Sequence, residues 1–124
     1  MFIDKDSLII DGVNMGTYIT EVKYGYHKLW SSKSGRNMAQ ETVGSFNLFP
    51  KLTLYFRKLN KEEMNIISPI LNEDTQQVKY YDPELNRKIT IPTYTNDWEV
   101  ACKNMEKGEA FECAFISRKR RVKS

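Results

Sequence analysis

Alternation between apolar and polar positions dominates the chain. From Tyr18 to Trp30, Val22, Tyr24 and Tyr26 share one face, while Glu21, Lys23 and His27 share the other. Period two with β-branched and aromatic side chains is the pattern of a half-buried strand. A shorter apolar run, Leu8–Ile10, precedes it, and Asp11-Gly12 follows that run as a turn signal. The two runs are expected to pair as an N-terminal hairpin, with a turn at Asp11-Gly12 or one extending to Gly16. A second long strand is expected over Thr42–Lys58. There Gly44, Phe46, Leu48, Leu52, Leu54 and Phe56 point one way, and Asn47, Lys51, Thr53 and Arg57 point the other. Pro50 interrupts this run. It has no N–H for a ladder, so the strand must be bulged there or present an edge.

The period changes once. Over residues 60–71, Met64, Ile67, Ile70 and Leu71 form a stripe at helical spacing, which should pack against the sheet. Asn60 is placed as N-cap, Glu63 as its capping-box partner, and Leu59 and Met64 as the hydrophobic staple. Pro69 should kink or shorten the helix. Alternation then resumes. Val78 and Tyr80 oppose Lys79 and Tyr81, Asp82-Pro83-Glu84 with Asn86 reads as a turn, and Lys88–Tyr94 returns with Ile89 and Ile91 on one face. Residues 96–108 are polar and read as a long loop with a helical turn at 100–105. Phe111–Ser117 closes the pattern, with Phe111, Cys113 and Phe115 inward. The fold class predicted is α+β, mainly β: an antiparallel β-sandwich or split barrel with one flanking α-helix (about 60–71) and a long loop (about 30–41). Residues 1–117 are expected to form one domain, with 118–124 as a basic tail.

Composition changes this picture little. A chain of 124 residues can bury a core without disulfide or metal staples. No apolar run approaches the ~20 residues of a membrane span, so no membrane partner is expected. The start, MFIDKDSLII, carries two aspartates and no apolar h-region, so a signal peptide is not expected and a soluble, intracellularly made protein is. Cys113, inside FECAF, should pack as a small hydrophobe, whereas Cys102 precedes a polar loop. One histidine and two cysteines at these spacings give no zinc motif, and neither metal nor cofactor is expected.

Charge changes it more. The formal net charge is +3, yet five of the nineteen basic residues lie in RKRRVK at 118–123. The rest of the chain holds 14 basic against 16 acidic residues. A mildly acidic body with a basic tail is not the composition of a basic nucleic-acid-binding domain.

Candidate chemistry is sparse. His27 sits on the polar face of its strand, and neither Ser31 nor Ser32 stands in a GxSxG elbow. No GxxxxGK[ST] or GxGxxG occurs. Glu62 and Glu63 belong to the first helical turn, where they complement the dipole. Asp97 and Glu99 flank Trp98 with nothing metal-like near them in spacing. No catalytic constellation can be written, and a non-enzymatic protein is expected. Basic residues interleaved with aromatics in KYGYHKLW, together with the tail, keep open an alternative: a small nucleic-acid-binding accessory protein acting through the basic C-terminus. A third reading is assembly. In LWSSKSGRNM, Leu29, Trp30 and Met38 bracket a polar, basic centre, and a segment of that pattern can lie down on a neighbour.

KLWSSKSGRNMAQETVGSFNLFPKLTLYF resembles small tail-module proteins encoded in phages and prophages of Gram-positive bacteria. The pattern is a Lys-Leu-Trp-Ser strand end (Lys28–Ser31), a Ser-Gly-Arg-Asn loop (Ser34–Asn37) and Phe-Pro-Lys-Leu (Phe49–Leu52). QQVKYYDP, TYTNDWE and KGEAFECAFISRKRR extend the resemblance over nearly the whole chain. It implies a virion structural protein of the tail, with a tail-tube-like or distal-tail-like β-sandwich and a loop that reaches an adjacent subunit. It implies as partners other copies of the chain, in a ring that is hexameric by analogy, and other phage tail proteins. Nucleic acid would be met only in passage through a tail lumen. In this reading Trp30 and Met38 anchor the loop, Lys33 and Arg36 pair with acidic groups of a neighbour, and Asn37 satisfies backbone groups in the turn. Arg118, Lys119, Arg120, Arg121 and Lys123 form a flexible or partner-ordered tail.

Overall fold

The computed structural model describes residues 3–30 and 46–120, with Trp30 and Phe46 through their backbone. A 3-10 turn at Lys5–Ser7 leads into β1 (Ile9–Ile10), β2 (Val13–Asn14), β3 (Ile19–Trp30), β4 (Phe46–Phe56), α1 (Lys61–Leu71), β5 (Gln76–Asp82), β6 (Arg87–Thr95) and β7 (Phe111–Ser117). The strands form one antiparallel seven-stranded sheet in the order β2-β1-β5-β6-β7-β4-β3. Mainly β with a single helix among the described residues, it has the predicted fold class.

Asp11 (φ 51°) and Gly12 (φ 84°) both adopt the left-handed backbone that a two-residue hairpin turn requires. That turn closes on the very next residues, Ile10↔Val13, so the partner of β1 is the short β2 and not the long strand. This corrects the expected N-terminal hairpin. The other side of β1 pairs with β5 (Ile9↔Lys79, Ile10↔Val78). The long strand β3 lies at the opposite edge of the sheet.

Residues 15–18 alone join these two edges. Even fully extended, the link from Asn14 to Ile19 spans no more than about 18 Å. The edges of a flat seven-stranded sheet would stand about 29 Å apart. The sheet is therefore rolled toward a split barrel, and Tyr24 of β3 meets Tyr80 of β5 across its interior with ring centroids 6.5 Å apart. The link is tied at several points. Arg57 N–H donates to Tyr18 O (3.0 Å), Arg57 Nε donates to Thr17 O (2.8 Å), and Lys5 Nζ donates to Gly16 O (2.9 Å). Gly16 is required there, because a Cβ would stand 2.7 Å from Asp6 Cα.

One core fills the roll. The even-numbered residues Leu52, Leu54 and Phe56 of β4 are buried, as the alternation predicted, with Val78 and Tyr80 of β5 and Phe111, Cys113 and Phe115 of β7. A bulge between Ile19 and Glu21 changes the parity of β3. Ile19 is buried, and beyond the bulge Val22 and Tyr24 pack against the core. α1 contributes Ile67, Ile70 and Leu71 to the same core. Its capping box is complete: Asn60 Oδ1 accepts from Glu63 N–H (2.9 Å) and Glu63 Oε1 accepts from Asn60 N–H (3.1 Å). The staple residues are Leu59, fully buried, and Met64, half-buried against the core. Pro69 falls in the last turn, two residues before the helix ends. Buried Gln76 then satisfies the helix terminus, donating from Nε2 to Ile70 O (2.9 Å) and Glu73 O (2.9 Å).

The expected helical turn at 100–105 is absent. Asn104 Oδ1 instead accepts from the N–H groups of Glu106 (2.8 Å) and Lys107 (3.0 Å). A side chain offering itself to the backbone in this way competes with helix. Bridges Cys102↔Gly108 and Asn60↔Lys107 hold the segment as an irregular strap beside α1.

Candidate assembly surface

Two prolines divide the sheet. β4 pairs with β3 through Pro50 with no register shift there, but it pairs with β7 only from Lys51 onward. Of the two options read for Pro50, the edge is the one realised. On the other flank β6 pairs with β7 only over Thr93–Thr95, and the next residue along β6 is Pro92. Arg118 N–H still donates to Pro92 O (2.8 Å), but proline returns no bond. β7 thus meets a proline on each side where it ends.

Beyond that point the sheet divides into a two-stranded arm and a β5–β6 ribbon that carries β1 and β2 on its other edge at Val78 and Lys79. The β3–β4 arm runs from Tyr26↔Pro50 to Trp30↔Phe46, and the β5–β6 ribbon runs from Gln77↔Pro92 to Asp82↔Arg87. Tyrosines link them. Tyr24 OH donates to Glu84 Oε1 (2.5 Å), Tyr26 OH donates to the same oxygen, and the two rings meet edge-on at 5.9 Å. Glu84 is presented by a turn built on buried Asp82. Oδ1 of Asp82 accepts from Glu84 N–H (2.8 Å) and Leu85 N–H (3.0 Å), while Oδ2 accepts from Tyr80 OH (2.8 Å). On the outer face of the arm, Leu29 is 51% exposed.

Charge is segregated along the strands. Lys28, Arg87, Lys88, Arg118, Lys119 and Arg120 lie toward the ribbon end. The start of the basic tail lies on the sheet: the Arg118 guanidinium stands 5.1 Å from the Tyr94 ring and donates to Asp74 O, while Arg120 donates to Asn47 Oδ1 (3.4 Å). Toward the helix end lies a cleft of about 730 Å³ between residues 96–101 and the outer faces of β4 and β7. Trp98 braces it, tilted on Phe111 at 5.8 Å with Nε1 donating to Asn72 Oδ1 (3.1 Å). Asp97, Glu99 and Glu112 line it opposite Lys51.

Of the residues singled out from sequence, Trp30 ends β3 and pairs with Phe46 at the tip of the arm. Lys33, Arg36, Asn37, Met38, Arg121 and Lys123 lie outside the described residues. His27, half-buried, falls on the face of β3 opposite Tyr24 and Tyr26, away from the tyrosine–carboxylate network. Among the described residues no group of three or more His, Cys, Asp and Glu is placed to hold a metal. No helix among them is long and apolar enough to cross a membrane. Cys102 is exposed and Cys113 buried, both free thiols, and burial pushes the Cys113 thiol up to about 12.

Sequence reasoning missed the Tyr24–Tyr26–Glu84 link, whose partners are 60 and 58 residues apart. It also missed the segregation of charge, which depends on strand direction and not on spacing. What the arrangement supplies is open backbone and shape: an arm whose outer edges pair with no other strand among the described residues, and two ends of opposite charge. No protein-family model matches the chain, and no curated protein or solved structure matches it.

Proposed function

We propose that this chain is a non-enzymatic structural component of a phage or prophage-derived tail, assembling with copies of itself into a ring in the tube, the tube end or the baseplate. The observation that supports this reading best is the β3–β4 arm, which outruns β7 by five residue pairs. A two-stranded ribbon is marginal by itself in water, and one with open edges and an exposed Leu29 gains stability when another surface covers it. The segment carrying Lys33, Arg36, Asn37 and Met38 springs from its tip, where the resembling family sets an inter-subunit loop. A hexamer follows by analogy with that family, and the partners would be further tail proteins in a virion.

Mass measurement and negative-stain imaging of the purified protein test the reading. Closed rings are expected, and Trp30→Ala with Arg36→Ala should weaken them while the fold persists. A strictly monomeric chain at high concentration, also absent from purified particles, would overturn it. The basic ribbon end favours a second reading, nucleic-acid binding. That reading requires steeply salt-dependent affinity for a DNA duplex that disappears when residues 118–124 are removed.

A further inference from the structure

We infer that the two ends of the molecule are a matched pair: the basic ribbon end of one copy docks on the acidic helix end of a second copy, centred on the cleft beside Trp98. The inference rests on self-assembly as proposed above and adds its direction and its surfaces.

At the helix end, the charges that are already paired cancel. Arg57 holds Glu63 at 2.5 Å and Lys58 holds Glu109 at 3.5 Å. The carboxylates of Glu62, Asp97, Glu99, Glu106 and Glu112 enter no ion pair among the described residues. Lys61, Lys103 and Lys107 offset those outside the cleft, and within it Lys51 opposes Asp97, Glu99 and Glu112, with Lys23 near Glu112, so the excess of negative charge is confined to the cleft. The cleft has the breadth to take a chain segment and an apolar base in Phe111, Val100 and Ala110.

At the tip of the β5–β6 ribbon, Asp82 and Glu84 are already engaged. Asp82 is buried in its turn, and Glu84 accepts from two phenols. Arg87, Lys88, Lys119 and Arg120 are exposed around them. Opposite signs at opposite ends of one axis give a heterologous contact, which propagates in one direction and does not close on a twofold. If the arm makes the lateral contact within a ring, this one stacks ring on ring. Unlike the arm contact, it should be sensitive to salt, since charges farther apart than ~8 Å are screened at physiological ionic strength.

The test is a charge exchange in the full chain. Variant one is Asp97→Lys with Glu99→Lys, and variant two is Arg87→Glu with Lys88→Glu. Variant one then carries positive charge at both ends and variant two loses the excess of positive charge at its ribbon end, so each alone should lose axial association by about tenfold or more at low salt. Mixed together, the two should associate again as alternating copies, and high salt should abolish both the native and the mixed contact. The neutral Asp97→Asn with Glu99→Gln variant, expected to weaken without reversing, guards against misfolding, with circular dichroism as the check on all three. Wild-type-like stacking of either variant alone, or folded variants that do not rescue one another, would overturn the inference while leaving ring formation standing. A wild-type chain that never self-associates removes both. Loss of duplex DNA binding in variant two, without any axial association in the wild type, assigns the basic end to nucleic acid instead.

Discussion

Tyr24 and Glu84, sixty residues apart, are joined by a phenol-to-carboxylate hydrogen bond of 2.5 Å. The bond ties β3, at the base of the β3–β4 arm, to the β5–β6 turn across the mouth of the rolled sheet. Tyr26 donates to the same carboxylate oxygen, so one acceptor gathers both phenols. Glu84→Gln should cost about 1 kcal/mol in urea unfolding, the ordinary net value for a hydrogen bond lost near solvent. Tyr24→Phe and Glu84→Gln should be non-additive in a double-mutant cycle. Amide exchange in residues 26–30 should quicken in either variant. Strict additivity with unchanged exchange would show that the link does not steer the arm.

Gln76 is fully buried and bonded at both ends of its amide. Its Nε2 serves Ile70 O and Glu73 O, and its Oε1 accepts from Thr93 Oγ1 at 3.1 Å. Gln76→Met keeps the volume and strands those partners. A loss of about 1–3 kcal/mol is expected from buried groups left unpaired, measured by chemical denaturation. Gln76→Glu should be worse at neutral pH, because a carboxylate cannot donate to two carbonyls.

The Glu63 carboxyl is held below its usual range, first by the Arg57 guanidinium and then by the Asn60 N–H. Lowering a carboxyl's pKa on folding stabilises the fold above the unfolded-state value, about 4.3 for Glu. That contribution is lost as the pH falls through the lower folded-state value. Wild-type stability should therefore drop below about pH 4.5 more steeply than that of Glu63→Gln. The glutamine can keep the capping-box contact but not the ion pair. At neutral pH the substitution should cost less than about 1 kcal/mol, since the pair is partly exposed and screened. Parallel pH profiles would count against the pair as a source of acid sensitivity.

Cys102 and Cys113 should be separable by a thiol reagent. Cys102 is exposed, whereas Cys113 is buried with its thiol pushed up to about 12. At pH 8 the folded protein should be labelled once, at Cys102, and a second time only on unfolding. Cys102→Ser should abolish the fast phase. Rapid double labelling of native protein would mean that β7 opens readily.

Local signals in the sequence were sound guides where the physics is local. The capping box of Asn60 and Glu63, the staple and the stripe fixed α1 to within a residue, because each acts over one or two helical turns. Parity along β4 identified Leu52, Leu54 and Phe56 as core for the same reason. The pairing of β1 was misread because adjacent runs usually pair, while here Asp11-Gly12 had already spent its turn on Val13. The strap at 100–108 was misread because Asn104 draws the backbone onto its own side chain. The end of β7 could be foreseen only by setting Pro50 and Pro92 on either side of it, and their meeting is a property of the sheet order. The loop residues Lys33, Arg36, Asn37 and Met38 were chosen on a resemblance and on spacing, and their part in assembly belongs to the experiments above.

The four-residue link between opposite edges has a consequence for how the chain matures. Ile9 and Ile10 must wait for Lys79 and Val78, partners that leave the ribosome long afterwards. Until then the first hairpin has nothing to lie against, and the β3–β4 hairpin can form before it. The amino-terminal residues are thus sewn in only after β5 has emerged, and a nascent chain halted before it would show a formed hairpin with a loose beginning.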